Sequence, residues 1–320
     1  MEIPVFFIVP NDMFAPAVVS MVSILENTQS QIKFYILERQ TLPISRINRA
    51  KLDNLKQKYS NFSVEYISVD PDDFREMIPP ISGYITIDTY FRYIVPDVVP
   101  DLKKAVYLDV DIIVQSDIAE LYNMPLDDYY IGAVNHPKEY WERFPLFYEI
   151  VFNLKLDNPY FYVNGGVMLF NCGKYREDKI SNLLKEKTRL YKEKIKWADQ
   201  DIMNFILQGK IKELPWQFNT LLDALRKYKY PPKEAKIIHF NGSKKPWNCN
   251  MFLDDLFWEY AKKTPVFAEL KKIKKEALKK NTKTFYLFNF IPLLTVKTED
   301  KRKFYSLFGV IPLLKTTRRE

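Results

Sequence analysis

AVYLDVDIIV, residues 105–114, is an apolar run typical of a buried strand, yet it carries two carboxylates, Asp109 and Asp111. Side chains two positions apart on a strand point to one face, so the pattern predicts that Asp109 and Asp111 project together while Val110 faces the other way. Adjacent buried carboxylates repel each other, and the repulsion is relieved when one stays protonated or a divalent cation bridges both. Mg²⁺ and Mn²⁺ favour carboxylate oxygens, and Mn²⁺ also accepts an imidazole, for which His239 is the candidate.

Two other interpretations of the aspartate pair remain open. A strand that ends in solvent would leave both carboxylates hydrated, although the apolar lead-in AVYL favours burial. The DxDx[TV] signature of haloacid dehalogenase-type phosphatases uses its first aspartate as a nucleophile, but here the last position is Ile113. The chain has eight glycines and neither GxGxxG nor GxxxxGK[ST], so a diphosphate would have to be held by a cation and a lysine rather than by a glycine-rich loop.

Strand-like and helix-like segments alternate up to this stretch. Strands are predicted over 3–9, 32–37, 62–69 and 105–114, and helices over 15–26, 44–59 and 71–78. This order predicts an α/β fold with a Rossmann-like, mostly parallel central sheet and helices on both faces. Because ligands bind such sheets beyond the carboxyl ends of the strands, the turn Pro10-Asn11-Asp12 is expected beside Asp109 and Asp111.

The second half of the chain is less regular. Residues 160–171, YFYVNGGVMLFN, read as a strand interrupted by Asn164-Gly165-Gly166, and paired glycines predict a bulge or a close backbone approach. Residues 199–208 are predicted to form a helix that begins Asp199-Gln200-Asp201. Residues 236–240 form a predicted short strand that leads into HFNGSKKPW, residues 239–247.

Composition limits the classes of protein. The 320 residues are 47% hydrophobic and 28% charged, which is an ordinary globular balance. The net charge of +8 resides in the C-terminal part: from residue 262 onward there are 16 Lys and Arg against five Asp and Glu, so no nucleic acid partner is expected. Two cysteines, Cys172 and Cys249, and two histidines argue against a disulfide framework and a structural zinc site. No secretory leader or run of roughly 20 apolar residues is visible, which favours a cytoplasmic protein.

The C-terminal part contains a near-repeat. Residues 285–294, FYLFNFIPLL, resemble residues 304–314, FYSLFGVIPLL, and a basic helical stretch, KKIKKEALKK at 271–280, precedes them. Aromatic and aliphatic residues flanked by Lys and Arg are typical of segments that bind anionic lipid at the membrane interface. The alternatives are packing on the main domain and a contact between subunits.

LDVDIIV, VNGGVMLFN, DQDIMN and HFNGSKKPW follow one another in an order that resembles glycosyltransferase family 8 over about residues 3–260. The resemblance implies a metal-dependent enzyme of GT-A fold that transfers a sugar from a nucleotide diphosphate with retention of configuration. Within the family, the chain is most similar to bacterial lipopolysaccharide galactosyl- and glucosyltransferases.

The resemblance also implies a role for each matching residue. Asp109, Asp111 and His239 match the metal ligands, with Mn²⁺ expected and Mg²⁺ as the second candidate. The donor-binding set is Pro10, Asn11, Asp12, Phe14, Arg92, Asp109, Val110, Asp111, Asn164, Gly165, Asp199, Gln200, Gly242 and Lys245. Phe14 is expected to stack on uracil, Lys245 to contact the diphosphate, and Gln200 to lie nearest the reactive face of the sugar. The family often has Asp where this chain has Asn11.

Three residues are the catalytic candidates: Gln200, Asp201 and Asp199. Retention by double displacement needs a carboxylate nucleophile, and Gln200 is an amide, so front-face transfer of the internal-return type is favoured. Asp201 is the alternative nucleophile. Trp216, Phe218 and the aromatic stretch 140–152 are interpreted as core packing, with the lining of an acceptor cleft as the alternative. His136 is interpreted as a loop residue that could approach the acceptor.

The resemblance, together with the acidic pair and Lys245, implies a retaining hexosyltransferase. It would move galactose or glucose from a UDP-sugar to an oligosaccharide or lipid-linked saccharide, in the synthesis of lipopolysaccharide or another bacterial surface glycan. The alternative is a catalytically silent sugar-nucleotide- or glycan-binding protein of the same fold. Residues 1–260 are assigned to the catalytic domain and residues 261–320 to a basic, helical and amphipathic tail. The tail would make the protein peripheral on the inner face of the cytoplasmic membrane.

Overall fold

The computed structural model describes residues 2–77, 86–137, 158, 160–195, 197–222, 225 and 232–280, and the backbone of four strands between residues 282 and 317. The predicted aromatic stretch 140–152 lies outside these residues. The strands of the main body are β1 Glu2–Ile8, β2 Gln31–Arg39, β3 Phe62–Val69, β4 Lys104–Leu108, β5 Ile112–Val114, β6 Ile131–Asn135, β7 Val163–Asn171, β8 Ile211–Leu214, β9 Thr220–Leu221 and β10 Ile237–His239.

Helices connect these strands. The α-helices are α1 Phe14–Asn27, α2 Arg46–Asn54, α3 Ala119–Tyr122, α4 Cys172–Glu177, α5 Ile180–Tyr191, α6 Asp199–Ile206, α7 Asp254–Ala261 and α8 Phe267–Lys280. The 3-10 helices are Asn11–Met13, Leu55–Gln57, Pro71–Met77, Ile87–Ile94, Trp216–Asn219 and Pro232–Glu234.

The central sheet has seven strands in the order β3-β2-β1-β4-β7-β6-β8. The pairs β3/β2, β2/β1, β1/β4 and β6/β8 are parallel, and β7 is antiparallel to both of its neighbours. The predicted α/β fold with a mostly parallel sheet is therefore confirmed. A second, three-stranded sheet has the order β5-β10-β9.

Both faces of the central sheet are buried. Along β1, Val5 and Phe7 belong to one apolar core, which includes α1, whereas Phe6 and Ile8 belong to a second core on the opposite face. This alternation follows from the two-residue period of a strand. It explains why β1 reads as a continuous apolar run, as strands covered on both sides do.

The predicted single strand over residues 105–114 is wrong: the stretch forms two strands in different sheets. β4 ends at Leu108, and β5 begins at Ile112 and pairs with β10. The chain turns because the Asp109 backbone N–H donates to Gly166 O at 2.8 Å, while Ser20 Oγ on α1 lies 2.7 Å from Val110 O and 2.8 Å from Ile112 O. The two aspartates therefore flank a turn between two sheets.

Several other predicted elements are shorter than expected. The predicted helix over 44–59 begins at Arg46, because the Ser45 hydroxyl accepts from the Asn48 backbone N–H and caps the helix, and it tightens to 3-10 geometry after Asn54. The strand predicted to be interrupted by Asn164-Gly165-Gly166 runs through these residues as β7. The register with β6 shifts there: Ala133 pairs with Met168 and Asn135 with Val163, so β7 carries extra residues that include Asn164-Gly165-Gly166, as the predicted bulge requires.

The C-terminal part is only partly helical, which corrects the expectation of a helical tail. The basic helix α8 is present, and Val266 and Leu270 at its start are fully buried in the main core. Beyond it the backbone forms an antiparallel four-stranded sheet. Its strands are β11 Thr282–Leu287, β12 Ile291–Glu299, β13 Arg302–Leu307 and β14 Ile311–Thr317.

The near-repeat corresponds to two strand pairs. β11 pairs with β12 and β13 pairs with β14, and each pair has a register shift at the equivalent position, after Phe285 and after Tyr305. Pro292 and Pro312 in the repeated IPLL motif disfavour helix, because proline lacks the backbone donor that an interior helical position needs. Within the part of the chain that the structure describes, no helix has the length and apolarity needed to cross a membrane.

Candidate active site

Three predicted metal ligands converge where the two sheets meet. Asp109 follows β4, Asp111 precedes β5, and His239 ends β10, whose antiparallel pairing with β5 sets His239 opposite Ile112. One ligand atom from each side chain lies within 4.8 Å of the others. His239 Nε2 is 3.2 Å from Asp111 Oδ1 and 3.8 Å from Asp109 Oδ2. Two carboxylates and an imidazole at this spacing suit a divalent cation of the Mn²⁺ or Mg²⁺ type.

The glycine pair of β7 makes room for this cluster. A Cβ atom on Gly166 would stand 2.2 Å from His239 Cε1 and 2.9 Å from Asp109 Oδ2, and a Cβ on Gly165 would stand 2.6 Å from the Arg92 guanidinium. No side chain fits at either position without displacing the cluster. The predicted close approach of the backbone is therefore present.

Cationic side chains balance the two aspartates. The Lys245 ammonium contacts the Asp111 carboxylate and donates to Phe240 O at 2.7 Å. Burial by itself would raise the pKa of Asp111, but Lys245 and His239 outweigh it and hold that pKa well below its ordinary value. Asp109 Oδ1 accepts from the Tyr107 hydroxyl at 2.6 Å and lies 3.3 Å from the Arg92 guanidinium.

Arg92 links Asp109, one of the predicted metal ligands, to Asp199. Its Nε lies 2.9 Å from Asp199 Oδ2, and its terminal nitrogen donates to Gly165 O at 3.0 Å. Thr89 donates to the other Asp199 oxygen at 2.5 Å. Burial raises the pKa of Asp199 to about 6, and Arg92 and Thr89 limit the rise. Arg92 therefore connects two carboxylates that the sequence places 90 residues apart.

The 3-10 helix that carries Thr89 and Arg92 is fastened to the central sheet. Arg39 at the end of β2 makes a bidentate ion pair with Asp88, at 2.5 and 2.7 Å. Paired contacts of this kind fix orientation as well as distance. The position of Arg92 therefore depends on β2 as well as on its own helix.

Gln200 and Asp201 occupy different environments. Gln200 is half-buried, and its Oε1 accepts from Asn164 Nδ2 and from the Gly165 backbone N–H, both at 3.1 Å. Asp201 is fully buried, with one oxygen accepting from the Tyr162 hydroxyl at 2.5 Å and the other from the Trp197 backbone N–H at 2.7 Å. Of the two, Gln200 is the side chain nearer the glycine pair.

A cavity of about 240 Å³ opens beside the cluster. Among the predicted donor-binding residues, it is lined by Pro10, Arg92, Asp109, Val110, Asp111 and Lys245. Asn164, Gly165, Asp199 and Gln200 are not among its lining residues. Gly165 and Asp199 contact Arg92, and Asn164 and Gly165 contact Gln200.

The predicted stacking role of Phe14 does not fit the structure. Phe14 is 1% exposed and belongs to the core beneath α1, because it begins the buried face of that helix. Its neighbour Met13 lines the cavity instead. Asn11 accepts from the Ser45 backbone N–H at 3.1 Å, and Asp12 is exposed, so neither lines the cavity.

The remaining predicted residue, Gly242, lies in the exposed turn between Phe240 and Lys245. Its φ of 84° is a left-handed conformation that glycine adopts without strain. Gly242 thus shapes the turn that brings Lys245 back to Asp111.

A second cavity, of about 580 Å³, has Asn219 in its lining. It is lined by Asn135, His136, Glu213, Pro215, Trp216 and Asn219, among others. Burial lowers the pKa of His136 to about 3, with a smaller contribution from His239. Phe218 is buried in the core, which confirms the interpretation as core packing for this residue. His136 and Trp216 therefore remain as cleft candidates.

Sequence reasoning missed several residues of the site. They are Met13, Asp88, Thr89, Tyr107, Asn219 and Trp247; Gly166 was predicted to allow a close backbone approach but was not assigned to the site. Tyr107 and Gly166 stand inside the quoted motifs, two residues before Asp109 and next to Gly165, so the two-residue period of a strand was a usable signal for Tyr107. Asn219 carries no local signal, because its partners come from distant segments.

The α/β fold with its mostly parallel central sheet matches that of GT-A glycosyltransferases. Solved structures share the fold. The galactosyltransferase LgtC in complex with donor and acceptor sugar analogs is 25% identical, with a TM-score of 0.70 over 82% of this chain and 96% of that one. The bifunctional glycosyltransferase WbbM is 22% identical, with a TM-score of 0.71 over 86% of this chain and 52% of that one.

The chain belongs to glycosyl transferase family 8, whose family model matches residues 4–251. A putative glycosyltransferase of Haemophilus influenzae is 29% identical over 286 residues, which are 80% of this chain and 82% of the relative. The resemblance predicted from the four motifs is therefore confirmed, and the protein is a family 8 glycosyltransferase.

Proposed function

We propose that this protein moves a hexose, galactose or glucose, from a UDP-sugar to a saccharide acceptor, with retention of configuration and with Mn²⁺ as the preferred cation and Mg²⁺ as the second. The observation that carries the proposal is the convergence of Asp109, Asp111 and His239 beside a cavity lined by Lys245 and Arg92. A divalent cation held there would bind the diphosphate and stabilise the charge that develops on the departing nucleotide. Lys245 gives the same diphosphate a second positive contact.

The donor sugar is expected to face Asp199 and Gln200. Asp199, held by Arg92 and Thr89, offers a carboxylate for a sugar hydroxyl, and Gln200 stands next to the glycine pair. Asp201 is a poor candidate for the nucleophile because both of its oxygens accept hydrogen bonds and the side chain is fully buried. We therefore favour front-face transfer, in which the acceptor oxygen attacks on the side from which the diphosphate departs.

The cavity beside Asn219 is the proposed acceptor site. It adjoins the site through Asn219, and Trp216 and Pro215 offer apolar surfaces of the kind on which sugar rings pack, with Glu213 and Asn135 as polar partners. The acceptor would be an oligosaccharide or a lipid-linked saccharide in lipopolysaccharide or other surface-glycan synthesis.

A screen of UDP-sugars for Mn²⁺-dependent hydrolysis tests the enzymatic proposal. The wild type is expected to turn over UDP-galactose or UDP-glucose, and the double variant Asp109→Asn, Asp111→Asn to lose this turnover while it stays folded. If the wild type binds UDP but neither transfers nor hydrolyses any sugar nucleotide, the chain is a sugar-nucleotide-binding protein of the same fold and the proposal fails.

Mass spectrometry of wild-type enzyme quenched during turnover tests the mechanism. No glycosyl adduct is expected on Asp201. A covalent sugar on Asp201 that forms and decays at the rate of turnover would overturn front-face transfer.

We further propose that residues 1–260 form the catalytic domain and that residues 261–320 bind the inner face of the cytoplasmic membrane. Support comes from a groove of about 790 Å³ along α8, in which Trp258, Phe267, Lys271, Lys275 and Lys279 line one surface. Aromatic and basic groups on one surface suit anionic lipid. The variant with these three lysines changed to glutamine should sediment less with phosphatidylglycerol vesicles than the wild type. Equal sedimentation would exclude α8 as the lipid contact.

A further inference from the structure

Asn219 stands between the metal ligands and the donor-sugar residues. It ends the 3-10 helix Trp216–Asn219 and is 2% exposed. Its Oδ1 lies 3.0 Å from His239 Nδ1, and its Nδ2 donates to Asn164 Oδ1 at 2.8 Å. One buried amide therefore touches a predicted metal ligand and a predicted donor-binding residue.

Two backbone amides determine which way these side chains point. The Gly166 N–H donates to Asn164 at 3.0 Å, so the Asn164 atom there must be the oxygen. The same oxygen faces Asn219, which must therefore present its NH₂ group to Asn164 and its oxygen to His239. The Gly165 N–H fixes the Gln200 oxygen in the same way, at 3.1 Å. Because backbone N–H groups can only donate, they determine which atom of each side-chain amide is the oxygen.

The tautomer of His239 follows from the same series of hydrogen bonds. Because the Asn219 oxygen can only accept, His239 Nδ1 must carry a hydrogen. Nε2 is the nitrogen that faces Asp109 and Asp111, and it is the atom available to a metal. Second-sphere partners of metal-binding histidines commonly fix the ring in this manner.

The hydrogen bonds continue in one direction beyond Asn164. Asn164 Nδ2 donates to Gln200 Oε1 at 3.1 Å, Gln200 Nε2 donates to the Tyr162 hydroxyl at 3.2 Å, and Tyr162 donates to Asp201 Oδ1 at 2.5 Å. Every donor points from His239 toward Asp201. Aligned hydrogen bonds polarise one another, and here the buried Asp201 carboxylate is the final acceptor.

We propose that Asn219 is a positioning residue that couples the metal site to the donor-sugar face through this relay, defined as His239, Asn219, Asn164, Gln200, Tyr162 and Asp201. The hydrogen bonds of the relay do not depend on the proposed function, but the expected effect of the relay on catalysis rests on it. It orients the His239 ring toward the cation and holds the Gln200 amide against the glycine pair. It also gives Asp201 a role as the buried anion that ends the relay.

Two variants of Asn219 separate its two contacts. Asn219→Asp keeps an acceptor for His239 Nδ1–H but cannot donate to Asn164, whereas Asn219→Leu loses both contacts. Thr220→Val is the matched control, because Thr220 is equally buried and donates only to backbone oxygens of the same turn, Trp216 O and Gln217 O. All are made in the full chain, and circular dichroism checks that each is folded.

Mn²⁺ affinity, measured by electron paramagnetic resonance without nucleotide, tests the contact between Asn219 and His239. We expect Asn219→Leu to weaken Mn²⁺ binding about 10- to 100-fold and Asn219→Asp to retain it. The kcat for UDP-sugar hydrolysis at saturating Mn²⁺ tests the contact between Asn219 and Asn164. We expect Asn219→Asp to lower this kcat about 10- to 100-fold. Wild-type kcat in Asn219→Asp would overturn the proposal.

The relay can also be tested in the absence of metal and substrate. In metal-free protein, the side-chain amide NMR resonances of Asn164 and Gln200 should shift in Asn219→Asp and stay in place in Thr220→Val. If the Gln200 resonance does not move in Asn219→Asp, there is no relay, whatever the enzyme does. If the resonances move as expected but the wild type neither binds Mn²⁺ nor turns over any donor, the proposed function fails and the relay stands.

Discussion

The backbone of Gly166 lies so close to the His239 imidazole that a Cβ atom on Gly166 would come within 2.2 Å of His239 Cε1. Contacts this short require one group to move, and Asn219 holds the imidazole through its Nδ1 atom. The predicted metal ligands and the glycine pair thus form one packed unit. The absence of a side chain at residue 166 is part of the site.

Gly166→Ala should therefore displace His239. We expect Mn²⁺ affinity to fall about 10- to 100-fold and turnover at fixed Mn²⁺ to fall with it. Titration of Mn²⁺ by electron paramagnetic resonance measures the effect. Gly173→Ala is the control, because the nearest atom to its added Cβ is 4.0 Å away and α4 tolerates alanine. Normal Mn²⁺ affinity in Gly166→Ala would contradict this prediction, because it would show that the His239 imidazole can move without loss of metal binding.

Lys245→Met should affect metal and nucleotide binding in opposite directions. Without nucleotide, Mn²⁺ should bind at least as tightly as in the wild type, because no ammonium group then competes for Asp111. With Mn²⁺ present, UDP should bind about 10- to 100-fold more weakly, since a charged hydrogen bond to the diphosphate is lost. Calorimetry measures both affinities, with the adjacent, exposed Lys244→Met as control. Weaker binding of Mn²⁺ alone would contradict this role of Lys245.

Activity should depend on the ionisation of Asp199. Its pKa, raised by burial to about 6, means that the carboxyl group is mostly protonated at pH 5 and mostly ionised at pH 7. A protonated Asp199 neither balances Arg92 nor accepts as strongly from a sugar hydroxyl, so kcat/KM should rise with pH through about 6 and then level. The Asp199→Asn variant should have a low kcat/KM, and its kcat/KM should no longer rise with pH through about 6. A flat wild-type profile between pH 5 and 7.5 would rule the assignment out.

Glu26 should stabilise the fold at neutral pH and lose this effect in acid. Burial alone would raise its pKa, but Lys263, Tyr59 and Lys58 outweigh burial and hold the pKa lowered to about 2. Because this value lies below the ordinary 4.5, the stabilisation is present above pH 4.5 and is lost as pH falls toward 2. These contacts tie α1 to the end of the α2 region and to the segment after α7.

The melting temperature measured from pH 7 to pH 2 tests this prediction. Glu26→Gln should melt below the wild type at pH 7, and the two should converge as the pH falls. Glu193→Gln, at an exposed position, is the control and should follow the wild type throughout. A constant gap between Glu26→Gln and the wild type across the acid range would show that Glu26 acts through packing alone.

Much of the fold could be predicted because hydrophobic periodicity is local. The run 3–9 and the alternation that follows it contain the information for β1, α1 and β2, and the structure has them there. The break at Asp109 could not be predicted this way. Residues 105–114 are apolar apart from the two aspartates, and the turn depends on Gly166 and Ser20, which lie far away in sequence.

The same division applies to the site. The four motifs identified the family, because family membership is written in residue types and their order. Phe14 was misplaced because an aromatic residue beside a nucleotide-binding turn reads the same whether it faces a ligand or the core. Only the packing of α1 decides that it is buried and that Met13 lines the cavity.

The sequence by itself determined the α/β class and the family, and it predicted the metal ligands Asp109, Asp111 and His239. These follow from residue types and local spacing, which the chain carries in one dimension. Only the tertiary structure decided how those ligands are held. Gly166 leaves space for the imidazole, Lys245 and Arg92 balance the carboxylates, and Asn219 joins His239 to Asn164. Such contacts join residues that are far apart in sequence, and they exist only when the two sheets meet.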